Sequence, residues 1–180
     1  MKLDRSRAAL VVVDVQEAFR PAVLDFDRVA ANVSVLVRGA RVLGLPTLVT
    51  EQYPKGLGRT VPEVSEHLDD VEPIEKVCFS AVQAAGFSRA LLEARRDQLL
   101  LCGIETHVCV SQTAEDPLAD GVEVHVAQDA VSSRTAENRT LGLHKMERSG
   151  AAVTSVETAL FELLKEAGTP EFKAVQALVI

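Results

Sequence analysis

Two uninterrupted apolar segments constrain the fold of this 180-residue chain more than any other feature. The segments "AALVVVDV" (8–15) and "QLLLCGI" (98–104) carry apolar side chains at nearly every position. Because successive side chains of a strand point to opposite faces of its sheet, strands of this composition are buried on both faces. Sheets covered on both faces are typically parallel and flanked by helices. The two segments therefore predict central strands of a parallel sheet between two helical layers.

The rest of the chain alternates between short apolar segments and segments with helical periodicity. In residues 27–44, apolar residues recur every three or four positions, and Gly44 is a plausible helix end. Further strands are predicted at 46–50, 73–77, 122–130 and 151–155, and further helices at 88–96, 107–121, 135–150 and 156–168. This alternation predicts an α/β fold: a three-layer α-β-α sandwich with a mostly parallel, doubly wound sheet. Length and the lack of a linker favour one domain over residues 1–180.

Charge and cysteine content limit the expected partners. The net charge of −7, with cations scattered among acids, argues against a nucleic-acid surface, which needs clustered Lys and Arg. No segment approaches the ~18–20 continuous apolar residues that cross a bilayer, and "MKLDRSRAALVVVDV" at the N-terminus lacks the apolar centre of a signal peptide. Three cysteines without zinc-type spacing indicate a reducing compartment, and we expect a cytoplasmic protein.

Three polar residues stand where predicted strands end. Asp14 ends the first strand, Lys76 lies near the end of the strand at 73–77, and Cys109 follows the strand at 98–104. Ligands of open α/β sheets bind beyond the carboxyl ends of the strands, where the strand order reverses. We therefore expect Asp14, Lys76 and Cys109 to meet at one edge of the sheet.

The cysteines differ in their surroundings. Cys102 lies inside an apolar strand and is expected to be inert core, and Cys78 is interpreted as structural. Cys109 falls at the start of a predicted helix, where free backbone N–H groups and the helix dipole stabilise a thiolate. Spacing alone leaves Cys109 as either a nucleophile or a buried residue that faces the sheet. His107 is a poor candidate for its base, because helical side chains two residues apart diverge.

Several segments together resemble a known family. The segments are "VVVDVQEAF" (11–19), "EKVCFSA" (75–81), "GIETHVCVSQTA" (103–114), "QDAVSSR" (128–134) and "ERSGAAVTS" (147–155). They resemble signature segments of the isochorismatase-like cysteine hydrolases, and the resemblance covers roughly residues 6–165. Two segments are similar, more narrowly, to the isochorismatase-domain-containing proteins, a subfamily without a settled substrate: "VTEQYPKGLGRTVPE" (49–63) and "GIETHVC" (103–109).

The resemblance implies a catalytic triad of Asp14, Lys76 and Cys109. It also implies a cis peptide bond between Ile104 and Glu105, which would turn the backbone N–H groups of Glu105 and Cys109 toward a substrate oxygen. The implied reaction is hydrolysis of a small amide-like or imide-like compound through a thioester, with no cofactor. Asp14 would take the thiol proton, and the cation of Lys76 would lower the thiol pKa.

At two places the sequence differs from particular members of the superfamily, and these differences narrow the activities that the resemblance implies. Nicotinamidases of the superfamily hold a metal through an Asp-x-His pair and a further His after the second strand, whereas this chain reads "TEQYPKG" there, without His, so no metal is expected. Isochorismatases proper lack the nucleophilic cysteine, and its presence at Cys109 favours the amidase-like branch. The residues expected to line the pocket, each with packing as an equal alternative, are Gln16, Phe19, Tyr53 and Phe79. Substrate choice is expected to reside in the loop at 51–63.

Other interpretations stay open at this point. The chain could be a scaffold of the same fold that binds a small molecule or a protein and turns over little, or, less favoured, a redox-sensing cysteine protein. A homo-oligomer, dimer or tetramer, is expected from the resemblance. The C-terminal segment "EFKAVQALVI" (171–180) is apolar enough to pack on the domain or on a neighbouring subunit.

Overall fold

The computed structural model describes all residues from Met1 to Ile180. Six strands form one sheet in which every neighbouring pair is parallel. The strands are β1 (Ala8–Val13), β2 (Thr47–Gln52), β3 (Ile74–Lys76), β4 (Gln98–Ile104), β5 (Glu123–Ser132) and β6 (Ala152–Thr154). Their order in the sheet is β3-β2-β1-β4-β5-β6, so the two long apolar strands lie at the centre. The predicted doubly wound parallel sheet is confirmed.

Eight α-helices connect or cover the strands. They are α1 (Phe26–Leu43), α2 (Pro54–Leu57), α3 (Pro62–Ser65), α4 (Ala85–Ala94), α5 (Ser111–Ala119), α6 (Ala136–Arg148), α7 (Val156–Leu164) and α8 (Pro170–Val179). Two short 3₁₀ turns occur at Glu17–Phe19 and Ala81–Gln83, and a π-helical turn spans Thr106–Val110. None of the helices is both long enough and apolar enough to pass through a lipid bilayer.

The sheet separates two hydrophobic cores, as the predicted three-layer sandwich requires. Leu10 and Val12 of β1 face a core formed with α1, α7 and α8, whereas Val11 and Val13 face a core formed with α4, α5 and α6. The alternation follows from the pleat of the strand, which sends successive side chains to opposite layers. Both sets are fully buried, which explains the continuous apolar character of the strand.

The element boundaries differ from the prediction at several places. The predicted helix at 107–121 divides into the π turn and α5, and α7 ends at Leu164 because Lys165 adopts a left-handed φ of 66°. The predicted loop at 51–63 overlaps the end of β2 and contains α2 and the start of α3. The C-terminal segment forms α8, which packs on α1 and buries Val175, so it covers its own domain.

The strand order reverses between β1 and β4, and this point places the site. The chain leaves β1 toward β2 on one side, and leaves β4 toward β5 on the other. Connections that diverge in this way open a crevice at the carboxyl ends of the two strands. Gly103 pairs with Val13 there and has a φ of 118°. A Cβ at Gly103 would lie 2.0 Å from the carbonyl oxygen of Val13, so the close approach requires glycine.

Gly142 of α6 controls a second close approach, to the turn that contains Cys109. A Cβ at this position would lie 2.7 Å from the carbonyl carbon and oxygen of Thr106. We expect Gly142→Ala to displace the Thr106–Val110 turn and to reduce the free energy of unfolding by about 1–3 kcal/mol, as overpacking typically does. Urea denaturation measures this change. The control is Leu141→Ala, on the same helix at a side chain 61% exposed, which should change stability by less than about 0.5 kcal/mol; equal effects would contradict the packing argument.

Candidate functional site

Asp14 is the acidic group of the candidate site. It follows β1 directly, has a left-handed φ of 51°, and is completely buried. Its Oδ1 accepts a hydrogen bond of 2.7 Å from the Thr50 hydroxyl, and its Oδ2 accepts one of 2.7 Å from the Lys76 ammonium. A carboxylate removed from water in this way is stable only when it is paired and hydrogen-bonded, and both oxygens of Asp14 meet that condition.

Lys76, the last residue of β3, is the cationic partner, and its side chain is also completely buried. Besides Asp14, its Nζ donates to Gln52 Oε1 at 2.8 Å, to the Phe79 carbonyl at 3.1 Å and to the Cys78 carbonyl at 3.2 Å. An ammonium group has three N–H donors, and these four acceptors surround it on the protein side. These hydrogen bonds therefore fix the position of the Lys76 ammonium group.

Cys109 lies in the π turn after β4 and is 6% exposed. The pKa of its thiol is raised from 9.0 to about 12, mainly by burial and in part by the nearby Asp14 carboxylate, while Lys76 acts in the opposite direction. Lys76 lowers the thiol pKa in the expected direction, but desolvation outweighs the cation, so the pKa rises overall and the predicted stabilisation of a thiolate is wrong. At neutral pH the resting residue is a protonated thiol beside a carboxylate.

This raised pKa predicts a stability change at alkaline pH. The folded chain keeps a proton on Cys109 that the unfolded chain releases above pH 9.0, so the stabilisation is complete below pH 9.0 and is lost as pH rises toward about 12. Cys109→Ser has no thiol to titrate. We expect its free energy of unfolding to fall less steeply than that of the native chain between pH 9 and pH 11, as measured by urea denaturation.

The same two proteins provide the control for this prediction. At pH 7 and pH 8 the thiol is protonated in both the folded and the unfolded chain, so the difference between variant and native stability should be constant there. Parallel curves that persist through pH 11 would mean that Cys109 is not shielded from water as the structure indicates.

The backbone between β4 and the π turn carries the cis peptide bond Ile104–Glu105, at the position that the resemblance implies. The Glu105 carboxylate is mostly buried, and its Oε1 accepts hydrogen bonds from Arg134 N at 3.1 Å and from Arg134 Nε at 3.0 Å. Glu105 also contributes to raising the pKa of Cys109, which places its charge near the thiol.

The four residues predicted to line the pocket occupy different environments. Gln16 is fully buried, and its Nε2 donates to the carbonyls of Gln52 at 3.0 Å and Gly58 at 2.7 Å, so its amide N–H groups are used inside the protein. Phe19 is half-buried and packs on the core. Tyr53 and Phe79, in contrast, are 56% and 54% exposed at the carboxyl edge of the sheet.

The remaining cysteines and His107 are arranged largely as the sequence suggested. Cys102 is buried, its S–H donates to the Val11 carbonyl at 3.6 Å, and burial raises its pKa well above the usual range. It faces the opposite layer from Cys109, so the sheet lies between the two thiols. Cys78 is half-buried. The Nδ1 of His107 lies 3.0 Å from the hydroxyl of Ser133.

Sequence reasoning missed two residues at the end of β2, Thr50 and Gln52. A signal was present, because "TEQ" places three polar residues at the end of a strand that is otherwise buried. Between them, Glu51 accepts hydrogen bonds from Thr60 N, from the Thr60 hydroxyl and from Arg59 Nη1 at 2.7–2.9 Å. This is where the nicotinamidase metal site would fall, and Glu51 is already engaged there, so these residues do not fit a metal.

A surface cleft of about 550 Å³ adjoins the site on the β3 side. Its wall is formed by Tyr53, Pro54, Lys76, Cys78 and other residues. A larger cleft of about 740 Å³ lies at the other end of the sheet, lined by Asp4, Arg96 and other polar residues. Of the two, only the smaller cleft is lined by a residue of the site, Lys76, and neither Asp14 nor Cys109 is among its lining residues.

The fold and these groups define an α/β protein with an acid, a cation and a cysteine at the strand-order reversal. The family model described as the isochorismatase domain matches residues 8–158, and the chain belongs to this family. It is 44% identical over 177 residues to the secreted isochorismatase effector Isc1 of Phytophthora sojae, covering 96% of this chain and 84% of that protein. It is 38% identical to isochorismatase domain-containing protein 2 of Danio rerio, covering 99% of this chain and 89% of that protein.

Solved structures share the same fold. The MAR1 ribonuclease of Caenorhabditis elegans superposes with a TM-score of 0.94 at 38% identity, over 99% of this chain and 92% of that one. YcaC of Pseudomonas aeruginosa, solved with hexane-2,5-diol and covalent acrylamide, superposes with a TM-score of 0.91 at 28% identity, over 98% of this chain and 91% of that one. The Escherichia coli YcaC gene product, described as an octameric hydrolase of unknown specificity, superposes with a TM-score of 0.93 at 25% identity, over 100% of this chain and 91% of that one.

Proposed function

We propose that this protein is a cysteine-dependent hydrolase of a small amide-like or imide-like compound and that it works through a thioester intermediate. Asp14, Lys76 and Cys109 are the proposed catalytic triad. The observation that carries the proposal is the completely buried Asp14–Lys76 ion pair, 2.7 Å long, whose two charges both act on the Cys109 thiol. A fold alone has no need of a buried ion pair beside a thiol, because apolar residues of similar volume stabilise a core as well or better.

In the first half of the reaction, Asp14 accepts the Cys109 proton as Sγ attacks the substrate carbonyl carbon. A C–S bond forms, and the carbonyl electron pair moves to oxygen, where the N–H groups of Glu105 and Cys109 are proposed to stabilise it. The tetrahedral intermediate collapses by breaking the C–N bond. Asp14 returns the proton to the departing nitrogen, which leaves an acyl group on Cys109.

In the second half, water replaces the departed amine. Asp14 accepts a proton from water as its oxygen attacks the thioester carbonyl, and the C–S bond then breaks. The carboxylic acid leaves, and the proton held by Asp14 returns to Cys109. The raised thiol pKa suits this cycle, because a neutral thiol transfers its proton only when a carbonyl is in place to react. Lys76 stays in place throughout and stabilises the negative charge that Asp14 and sulfur carry during the reaction.

Substrate size and chemistry are proposed from the rim of the site. Tyr53 exposes its ring in the cleft, and Phe79, which follows the lining residue Cys78, also has an exposed ring; both suit contact with a small substrate that is partly apolar. The P. aeruginosa relative was solved with covalent acrylamide, an electrophile that adds to nucleophiles through its double bond and keeps its amide, so it supports a reactive nucleophile in that relative and leaves the substrate class to be tested.

Replacement of the nucleophile tests the proposal. We expect Cys109→Ala to lower kcat on any amide substrate by at least about 10⁴-fold, because removal of a nucleophile eliminates the covalent route. A panel of small amides and imides, with mass-spectrometric detection of an acyl group on the Cys109 peptide, identifies the substrate and the adduct together. The matched control is Cys102→Ala, on the opposite layer, which should retain activity while folded. Turnover that survives in Cys109→Ala would refute the covalent scheme.

A second candidate is a binding scaffold of the same fold with little or no turnover. The specific observation in its favour is the low exposure and raised pKa of Cys109, which make the resting thiol a weak nucleophile. The amide panel separates the two. Saturable binding without any acyl adduct or released amine favours the scaffold, and an adduct that turns over favours the enzyme. The ribonuclease name of the C. elegans relative does not transfer here, since the net charge of −7 opposes contact with RNA.

We also propose that the chain forms a homo-oligomer and acts in the reducing cytoplasm. The E. coli relative is described as octameric, and apolar side chains such as Val77 and Phe79 are exposed here. Three free thiols support a reducing compartment, although the P. sojae relative is named a secreted protein. Multi-angle light scattering should give a mass that is a multiple of 19.4 kDa; a mass of 19.4 kDa itself would contradict the oligomer. Cell fractionation followed by immunoblotting tests the compartment.

A further inference from the structure

Three consecutive backbone carbonyls after β3 point inward, and two of them contact the buried cation. The Val77 carbonyl accepts a hydrogen bond from Gln52 Nε2 at 2.9 Å, and the carbonyls of Cys78 and Phe79 accept from Lys76 Nζ. Because these carbonyls point inward, the side chains of Val77 and Phe79 point outward, and they are 78% and 54% exposed. The segment 77–79 is thus held by its backbone hydrogen bonds and not by burial of its side chains.

Gln52 connects this segment to the ion pair. Its Oε1 accepts from Lys76 at 2.8 Å while its Nε2 donates to Val77, so both ends of the amide have a defined partner and its orientation is settled. Its backbone N–H donates to Gln16 Oε1 at 2.7 Å, and its carbonyl accepts from Gln16 Nε2. Since Gln16 also donates to Gly58, one hydrogen-bonded chain runs from the loop at 53–60 to the ammonium.

We propose that Gln52 is a positioning residue that holds the Lys76 ammonium against Asp14 and, through Gln16, couples the loop at 53–60 to the reactivity of Cys109. The proposal rests on the function proposed above, in which Asp14 and Lys76 serve Cys109. It follows that Lys76 makes no hydrogen bond to substrate, because its N–H groups are already directed to Asp14, Gln52 and the segment 77–79.

The charges around the thiol define what a change at Gln52 should do. The charged groups that act on Cys109 are Asp14, Lys76 and Glu105, and Lys76 alone among them lowers the pKa of the thiol. Gln52→Glu keeps an acceptor for the ammonium but adds a carboxylate that competes with Asp14 for it. Gln52→Met keeps the length of the side chain and removes both hydrogen bonds. Either change weakens the effect of the cation on the thiol, and we expect both to raise the pKa of Cys109.

The experiment measures the rate at which iodoacetamide alkylates Cys109 in the full-length folded protein, from pH 6 to pH 11, by mass spectrometry of the Cys109 peptide. We expect both Gln52 variants to move the profile to higher pH. Alkylation at pH 8 should slow by about 3-fold to 10-fold, because the thiolate fraction falls about tenfold when the thiol pKa rises by one. The control is Gln128→Glu, which adds the same charge at an exposed position on β5 and should give the native profile. If Gln52→Met does not fold, the comparison of the alkylation profiles of Gln52→Glu and Gln128→Glu still tests the proposal.

Each outcome has a defined meaning. Folded Gln52 variants with the native pH profile would make Gln52 a purely structural residue and overturn the proposal. The same conclusion would follow if Cys109 of the native chain were not alkylated at any pH in this range. Failure of the proposed hydrolysis has a different readout, in the amide panel: either Cys109→Ala still turns over substrate, or no amide gives an acyl adduct on Cys109. If the alkylation profile of the Gln52 variants moves to higher pH but no amide gives an acyl adduct, the role of Gln52 is supported and the proposed hydrolase activity is rejected.

Discussion

The buried ion pair between Asp14 and Lys76 is the interaction on which the rest of the site depends. It joins the end of β1 to the end of β3, two strands separated in the sheet by β2. Two charges removed from water are costly, and their attraction offsets that cost only when the remaining hydrogen-bonding groups are satisfied. Thr50, Gln52 and the carbonyls of segment 77–79 meet that requirement. The polar end of β2 and the inward-turned backbone after β3 are both explained by this pair.

The fold delivers these groups through two close backbone approaches. Gly103 lets β4 lie against β1 at the strand-order reversal, and Gly142 lets α6 lie against the turn that carries Cys109. Both glycines lie next to segments that hold proposed catalytic residues, not in remote turns. Close packing at these points sets the distance between a thiol on one strand connection and an ion pair on another, with little room for adjustment.

The electrostatics of Cys109 change how the site should be understood. A nearby cation is normally associated with a thiolate, yet burial and the Asp14 carboxylate outweigh Lys76 and raise the thiol pKa. The site therefore holds a protonated thiol against a charged acid, and the proposed chemistry begins with a proton transfer. In the proposed reaction the thiol reacts only when its proton acceptor is in place, and Thr50 and Gln52 are the side chains that hydrogen-bond to Asp14 and Lys76.

The sequence by itself determined the layer architecture, the central strands and the positions of Asp14, Lys76 and Cys109 near strand ends, because hydrophobic periodicity and the succession of elements along the chain are local properties. It also contained the segments that mark the isochorismatase family. Only the tertiary structure decided that Gln16 points into the protein while Tyr53 lines the cleft and Phe79 is exposed, that Gln52 contacts Lys76, and that the thiol pKa rises. Those features depend on desolvation and on hydrogen bonds between residues distant in the chain, and such energies have no counterpart in the sequence pattern of any single segment.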